Sequence, residues 1–185
     1  MVEDKIILGI DPGTNVLGYG LIHVKGSKLS LINFGVIQLA KLPTHPDKLK
    51  KIFERLDEII KEYKPDEMAI EAPFFGKNVQ SMLKLGRAQG VAIAVSLSNN
   101  IPFEEYTPRR IKQAVTGNGN ASKEQVAAML QTILSFTEIP KYLDATDGLA
   151  IAVCHHFSKG VGEHNKVKGS KWEAFLKNNP DRKLR

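Results

Sequence analysis

The chain has 185 residues, of which 42% are hydrophobic, and it carries a formal net charge of +6. This length predicts one α/β domain with a substantial core. The single cysteine, Cys154, excludes an internal disulfide and a zinc site built from cysteines, and it fits a reducing cytoplasm. The acidic N-terminus and the short first apolar run predict neither a signal peptide nor a membrane span.

The positive charge is concentrated near the end of the chain. Residues 159–185 contain 8 of the 26 Lys and Arg and 3 of the 20 Asp and Glu, so five of the six net charges lie there. We therefore expect a folded domain over 1–158 and a basic, flexible tail over 159–185. The tail fits a solvated end and a phosphate-binding segment equally well. The body would have to bind nucleic acid through a local patch.

Residues 5–13 (KIILGIDPG) predict a buried strand that ends in Asp11 and is followed by a Pro-Gly turn. A buried carboxylate is unfavourable unless it protonates, pairs with a cation or binds a metal. Taken alone, Asp11 fits a turn residue better than a functional one. Its role therefore depends on which side chains the rest of the chain brings beside it.

A second predicted strand that ends in an acidic residue follows later in the chain. Residues 14–24 and 28–39 predict two more strands of an antiparallel meander, and the apolar period after the N-cap Thr44 predicts a helix. Residues 67–72 (EMAIEA) then predict a buried strand parallel to the first, with Glu71 near its end. Glu71 and the first strand's carboxylate would share the crevice where open α/β sheets bind ligands.

The next predicted element is a long helix that follows a loop and ends near Ser98. Gly86 and Gly90 leave one stripe of this helix without side chains, which favours close approach of the sheet or of a second subunit. Residues 102–106 predict a fifth strand. A helix begins after it at Pro108, with basic residues in its first turns.

A Gly-rich loop precedes the last two predicted helices, and a pair of acids lies at the start of the final one. Residues 116–121 (TGNGNA) predict a flexible loop that leads to the N-cap Ser122. Lys123 follows at a helix start that favours anions, although a single such lysine is more often a solvated surface residue than a phosphate contact. The final helix is predicted from about residue 143 to 157. Asp144 and Asp147 share one of its faces, where they would also complement the helix dipole.

The acidic residues together predict a metal site. Oxygen ligands without Cys or paired His suit Mg²⁺ or Mn²⁺ better than zinc. Carboxylates gathered in one crevice repel one another, so we expect two ions, the arrangement that assists in-line phosphoryl displacement. The set consists of Asp11, Glu71, Asp144 and Asp147.

Five segments of the chain resemble the RuvC family of crossover junction endodeoxyribonucleases. They are ILGIDPGTNVLGYG, AIEAPFFGKN, SMLKLGRAQGVAIA, RRIKQAVTGNG and DATDGLAIAVCH, in family order over roughly residues 5–158. The resemblance implies a ribonuclease H-like α/β fold with a mixed five-stranded sheet, a three-strand antiparallel meander plus parallel strands, flanked by helices. It also implies a homodimer that resolves Holliday junctions by paired, Mg²⁺-dependent nicks in DNA recombination and repair. Proteins of the RuvA and RuvB type would be partners in branch migration.

The resemblance also assigns residues. It makes the four acids catalytic metal ligands, with Asp144 the least certain because some relatives have a His at that position. Phe74 corresponds to an aromatic residue that contacts unpaired bases, and Lys112 and Lys123 correspond to basic residues near the scissile phosphate. We further expect DNA contacts from Lys77, Asn78 and Arg109, and a dimer interface on the helix of Gly86 and Gly90.

Other classes share parts of this pattern. The segment GIDPGT resembles the first phosphate loop of actin-like sugar kinases and ATPases, but those proteins need a second similar domain and another Gly-rich loop, for which the chain has no length. A catalytically silent junction-binding module conflicts with the presence of all four acids. A nuclease that cuts RNA in hybrids would use the same mechanism, and comparing cleavage of a junction with cleavage of a hybrid duplex distinguishes the two.

Overall fold

A five-stranded mixed sheet lies at the centre of the computed structural model, which describes residues 4–73, 78–136 and 144–162. The strands are β1 (Asp4–Asp11), β2 (Val16–Lys25), β3 (Lys28–Gln38), β4 (Glu67–Glu71) and β5 (Phe103–Tyr106). Their order is β3-β2-β1-β4-β5; the first three form an antiparallel meander, and β4 and β5 continue the sheet in parallel. The predicted meander plus parallel strands is confirmed.

Five helices flank the sheet within the described residues. They are α1 (His45–Tyr63), α2 (Val79–Ser98), α3 (Pro108–Thr116), α4 (Lys123–Leu134) and α5 (Asp144–Gly162). The predicted N-caps are present, because Thr44 forms a capping box with Asp47 and Ser122 forms one with Gln125. Each box satisfies backbone donors that the first helical turn leaves without partners.

The two faces of the sheet bury separate cores. On one face, α1 and α2 cover alternate residues of β1 and β4, such as Leu8 and Met68. On the other face, α5 covers β1 and β2 and packs beside α3 and α4, around Ile7 and Ile22. Because β1 is buried on both sides, its continuous apolar run follows from its central position.

Helix α5 continues five residues past its predicted end near Phe157 and reaches Gly162. Lys159 donates a hydrogen bond from Nζ to Glu67 Oε1 at 2.7 Å, so it is attached to the start of β4. The predicted boundary between residues 158 and 159 therefore lies inside a helix. Within the described ranges, no helix combines the length and apolar character needed to cross a bilayer.

Candidate active site

Two of the predicted acids end neighbouring strands at one edge of the sheet. Asp11 is the last residue of β1, and Glu71 is the last residue of β4. These strands pair in parallel with Ile10 opposite Ile70, so the carboxylates follow at adjacent positions. Both line a single cavity of about 260 Å³. The topology thus brings together two acids that are 60 positions apart in the sequence.

Helix α5 brings Asp147 to this cavity and Asp144 close beside it. Asp144 and Asp147 lie in its first turn, and Asp147 lines the cavity. The helix crosses the sheet at glycines, because a Cβ on Gly9 would overlap the carbonyl oxygen of Gly148, and a Cβ on Gly18 would overlap that of Asp144. Without side chains at these positions, the helix backbone rests directly on the strands. Its acidic first turn consequently stands beside the strand ends.

The electrostatics of the cavity identify Asp11 as the central acid. Burial, together with the charges of Glu71, Asp147 and Asp144, raises the pKa of Asp11 to about 8. Burial also raises the pKa of Glu71 to about 7, with Asp147 as the next cause. Asp11 is thus within electrostatic reach of all three other acids. Groups shifted in this way, by burial and like charge together, are typical of functional sites.

Lys123 supplies a positive charge to the acids of α5. Its Nζ lies 2.5 Å from Asp147 Oδ2 and 3.3 Å from Asp144 Oδ1. Burial lowers the pKa of Lys123, but the hydrogen bonds and charges of Asp147 and Asp144 together outweigh burial, so its pKa is raised and it stays a cation. The Asp147 side chain is 19% exposed and that of Asp144 is 44% exposed. Asp147 is therefore the more enclosed of the two.

The donor set fits a hard divalent cation. Within residues 4–73, 78–136 and 144–162, no three His, Cys, Asp or Glu side chains converge as in a closed metal site. Instead, the Lys123 ammonium lies between the carboxylates of Asp144 and Asp147, where it stands in for a cation. The buried, mutually repelling oxygens of Asp11 and Glu71 complete a cluster that an oxygen-binding ion such as Mg²⁺ would neutralise.

The loop after Asp11 is fixed by a residue that the sequence analysis did not identify. Lys48 of α1 donates from Nζ to the carbonyl oxygen of Thr14 at 2.8 Å and to Asn15 Oδ1 at 3.2 Å. These bonds hold the turn beside the end of β1, where Asp11 lies. No sequence signal distinguishes Lys48 from the other lysines of α1, because its role depends on how the helix packs.

A second missed group fixes α5 from the opposite end of β4. His155 is 1% exposed, and it is hydrogen-bonded through Nε2 to Glu67 Oε2 at 2.8 Å and through Nδ1 to the Tyr106 hydroxyl at 2.9 Å. Although burial opposes it, the hydrogen bonds from Lys159, His155 and Lys5 lower the pKa of Glu67 to about 2. The sequence does carry a signal for this contact, because a histidine inside an apolar helix is buried and needs a polar partner.

The predicted DNA-binding residues are placed differently from one another. Lys112 lines the acidic cavity, and its positive charge lowers the pKa of Glu71, although burial outweighs that effect. Arg109 lies one helical turn away from it, beside a second groove. Asn78 caps α2 by accepting a hydrogen bond from Ser81 N at 3.0 Å, which gives it a structural role. The predicted contacts of Phe74 and Lys77 fall outside the described residues.

The small residues of α2 face away from the sheet. Among the described residues, a Cβ on Gly86 or Gly90 would meet no atom within 4 Å outside the backbone of its own helix. On the same side of the helix, Val79, Leu83 and Leu97 are 64%, 52% and 56% exposed. The glycine stripe was expected to pack against the sheet or against a second subunit, and its outward position excludes the sheet.

The fold and the acidic cluster define a class of protein with an RNase H-like sheet and carboxylates at its strand ends. The family profile described as crossover junction endodeoxyribonuclease RuvC matches residues 7–155. The RuvC protein of Cytophaga hutchinsonii is 66% identical over 179 residues, which cover 97% of this chain and 88% of that protein. The Porphyromonas gingivalis protein of the same name is 56% identical and covers 97% of both chains.

Solved structures agree with the sequence matches. Thermus thermophilus RuvC, in complex with a Holliday junction substrate, superimposes with a TM-score of 0.80 at 33% identity, over 85% of this chain and 96% of that chain. A yeast mitochondrial Holliday junction resolvase gives a TM-score of 0.63 at 18% identity, which shows the shared fold alone.

The chain belongs to the RuvC family of crossover junction endodeoxyribonucleases. The predicted resemblance, the ribonuclease H-like fold class and the enzyme class are confirmed, and dependence on a metal accompanies the family. The match also decides against the class of actin-like kinases and ATPases.

Proposed function

We propose that this chain resolves four-way DNA junctions with two Mg²⁺ or Mn²⁺ ions held by Asp11, Glu71, Asp144 and Asp147. The observation that carries the proposal is that Asp11, Glu71 and Asp147, from β1, β4 and α5, line one cavity, with Asp144 in the same helical turn as Asp147. Bound cations would lower the pKa of an attacking water and stabilise the charge on the leaving oxygen of the phosphodiester.

The residues of the chain divide this work among them. Asp11 is the acid that interacts with all the others, so it is the best candidate to bridge two ions. Lys112 and Lys123 lie on the cavity wall and would contact the oxygens of the scissile phosphate. An ammonium that pairs with Asp147 in the free protein can exchange that partner for a phosphate once cations neutralise the acid. Lys123 would thereby move charge toward the substrate when the site is complete.

The first experiment tests the acids. Asp11→Asn should retain junction binding and lose cleavage, measured by gel shift and by nicking of a labelled four-way junction in Mg²⁺. Asp4→Asn is the matched control, because it makes the same change at the exposed, opposite end of β1, where the ion pair with His23 contributes little. Cleavage by Asp11→Asn at the wild-type rate would end the proposal. Faster cleavage of an RNA–DNA hybrid than of a junction would assign a different substrate.

We also propose that the chain acts as a homodimer through the exposed face of α2. A four-way junction has two-fold symmetry, so a two-fold dimer would present two equivalent sites to it. The exposed face combines two glycines with Val79, Leu83 and Leu97 at helical spacing, and it would allow close helix approach. Leu83→Glu should give a folded monomer by light scattering. Met129→Glu, on the exposed part of α4, should leave the dimer intact. An unchanged dimer in Leu83→Glu would place the interface elsewhere.

The remaining parts of the proposal come from the single cysteine and from the family resemblance. Location in the cytoplasm and contact with RuvA- and RuvB-type branch-migration proteins stay predictions. Co-sedimentation of the purified chain with a RuvA- and RuvB-type assembly on a junction would test the partners.

A further inference from the structure

A second groove adjoins the catalytic cavity and has no role in the mechanism above. Its volume is about 520 Å³, and it runs between the end of β4, the start of α3 and the loop over residues 116–121. Pro108 and Lys112 line both this groove and the catalytic cavity. If the reacting phosphate of a polymer occupies the cavity, the adjoining unit of that polymer would therefore lie in the groove.

The groove has an apolar wall, a basic wall and one amide. Pro73 and Pro108 form apolar surface, while Arg109 and Lys112 add positive charge along α3. Asn120, on the loop that packs against Arg109, also lines the groove. An apolar surface beside cationic groups suits a base and its phosphate, since bases stack on flat apolar or guanidinium surfaces and phosphates pair with Arg and Lys.

The loop that carries Asn120 is held in place, in contrast to the flexible loop predicted from its glycines. Gln113 donates to the carbonyl oxygen of Gly117 at 2.6 Å and accepts from Gly119 N at 3.0 Å. Thr116 accepts a hydrogen bond from Asn118 N at 3.1 Å. Two side chains of α3 therefore fix the loop against the helix that carries the basic wall.

The packing of Gly119 shows how the groove keeps its shape. A Cβ on Gly119 would lie 2.7 Å from Arg109 Cγ, so the arginine side chain lies directly against the loop backbone. This contact holds the stem of Arg109 at the wall of the groove. The next residue, Asn120, is exposed and projects from a fixed backbone position.

We propose that this groove binds an unpaired nucleotide adjacent to the scissile phosphate and that the Asn120 amide reads the edge of its base. The inference rests on the proposed function, because it requires a DNA strand in the catalytic cavity. An amide presents a donor beside an acceptor, which matches a base edge of the adenine type. Asn120 would thus determine at which sequences the enzyme cuts, while Arg109 and Lys112 would hold the backbone whatever the sequence.

A pool of four-way junctions with randomised nucleotides on both sides of the cut tests this role. Full-length protein cleaves the pool in Mg²⁺, and sequencing of the products gives relative rates among flanking sequences within one reaction. We expect wild-type protein to prefer one base at a position next to the cut. Asn120→Ala should reduce that preference by about fivefold or more, the discrimination that one good base contact provides. Overall losses of rate cancel in these ratios.

Two more variants separate base recognition from other effects. Asn120→Asp offers only acceptors and should move the preference toward a base with an exposed donor, such as cytosine. A collapsed loop would produce no such change of preferred base. Arg109→Met keeps an apolar stem, and it should slow cleavage of all sequences alike and weaken the dependence of binding on salt.

The outcomes distinguish this inference from the proposed function. If wild-type protein cuts junctions and the Asn120 variants rank the sequences as it does, the groove does not read the base. A wild-type protein without any preference beside the cut would lead to the same conclusion. If it cuts no junction at all, the proposed function fails, and the inference fails with it.

Discussion

Replacing Asp11 by Asn should stabilise the metal-free protein while abolishing its activity. In the folded chain, burial and neighbouring acids raise the pKa of Asp11 from 3.8 to about 8. Below pH 3.8 the residue is protonated in both states and has no effect on stability. As the pH rises toward 8, the unfolded chain releases the proton and the folded chain retains it. The free energy of unfolding therefore falls over this window and levels off above it.

The size of the effect follows from the same values. One pKa unit corresponds to about 1.4 kcal/mol, so at pH 7 the difference amounts to roughly 4 kcal/mol. We reduce this to about 2 kcal/mol, because Lys123 and the facing acids can rearrange and the cavity is open to water. Asparagine resembles the protonated acid in the folded state and does not ionise in the unfolded one. Asp11→Asn should consequently melt about 4 to 8 °C higher at pH 7 in the absence of divalent ions.

Thermal unfolding at pH 5, 7 and 8 in a chelator measures this difference. The increase in the melting temperature of Asp11→Asn over the wild type should grow from pH 5 to pH 8. Asp4→Asn should show no such increase. Addition of Mg²⁺ or Mn²⁺ should stabilise the wild type more than Asp11→Asn, since the variant has lost a ligand. An Asp11→Asn protein that melts at or below the wild-type temperature at pH 8 in chelator would refute the account of a strained acidic cluster.

Four further predictions concern the cavity, its support and the DNA. Lys123→Met should bind Mg²⁺ about fivefold more tightly by calorimetry, because no ammonium competes for Asp147, yet cleave more slowly. Gly148→Ala should destabilise the fold by about 3 kcal/mol or more in urea unfolding, whereas Gly86→Ala, in open space, should not. Phe74→Ala should impair cleavage of fully paired junctions more than of nicked ones. Truncation after Gly162 should flatten the salt dependence of DNA binding if the tail contacts phosphates.

Each of these predictions has a result that contradicts it. Unchanged or weaker Mg²⁺ affinity in Lys123→Met would mean that the ammonium does not compete with the ion. Equal stability of Gly148→Ala and Gly86→Ala would remove the close contact of α5 with the sheet from the account. Equal losses on paired and nicked junctions would exclude a role of Phe74 in opening the crossover. An unchanged salt slope would leave the tail a solvated end.

The sequence predicts the order of strands and helices well because each carries a local signal. Buried strands have continuous apolar runs, and α1 and α4 begin at capping boxes that need only four residues to recognise. The acids at the strand ends are also local features, and the parallel arrangement of β4 beside β1 follows from the intervening helix. These signals place Asp11 and Glu71 together without any knowledge of tertiary contacts.

Features that depend on packing between distant elements were not predicted. The pairing of Lys123 with Asp147 joins α4 to α5, whereas the sequence suggested only a surface lysine or a phosphate contact. The loop over 116–121 has the composition of a flexible connection, yet Gln113 and Thr116 fix it through side-chain hydrogen bonds. Helix α5 passes its predicted end, and Lys159 in the added turn pairs with Glu67, a residue 92 positions away. For Lys123 and Lys159 the partner is remote in the sequence, whereas the loop is fixed by neighbours whose bonds its glycine-rich composition does not reveal.

A site whose acidic groups repel one another needs rigid support. Residues far from the acids provide part of that support. Asp144 and Asp147 would move away from Asp11 if α5 could shift along the sheet, because like charges favour separation. The close backbone contact at Gly148 fixes the helix near its start, and the hydrogen bonds of His155 with Glu67 and Tyr106 fix it near its end. The geometry that would let the acids share cations is therefore set by residues that would never touch the metal. Substitutions at those residues should weaken metal binding and stability together, whereas substitutions of the acids should separate the two.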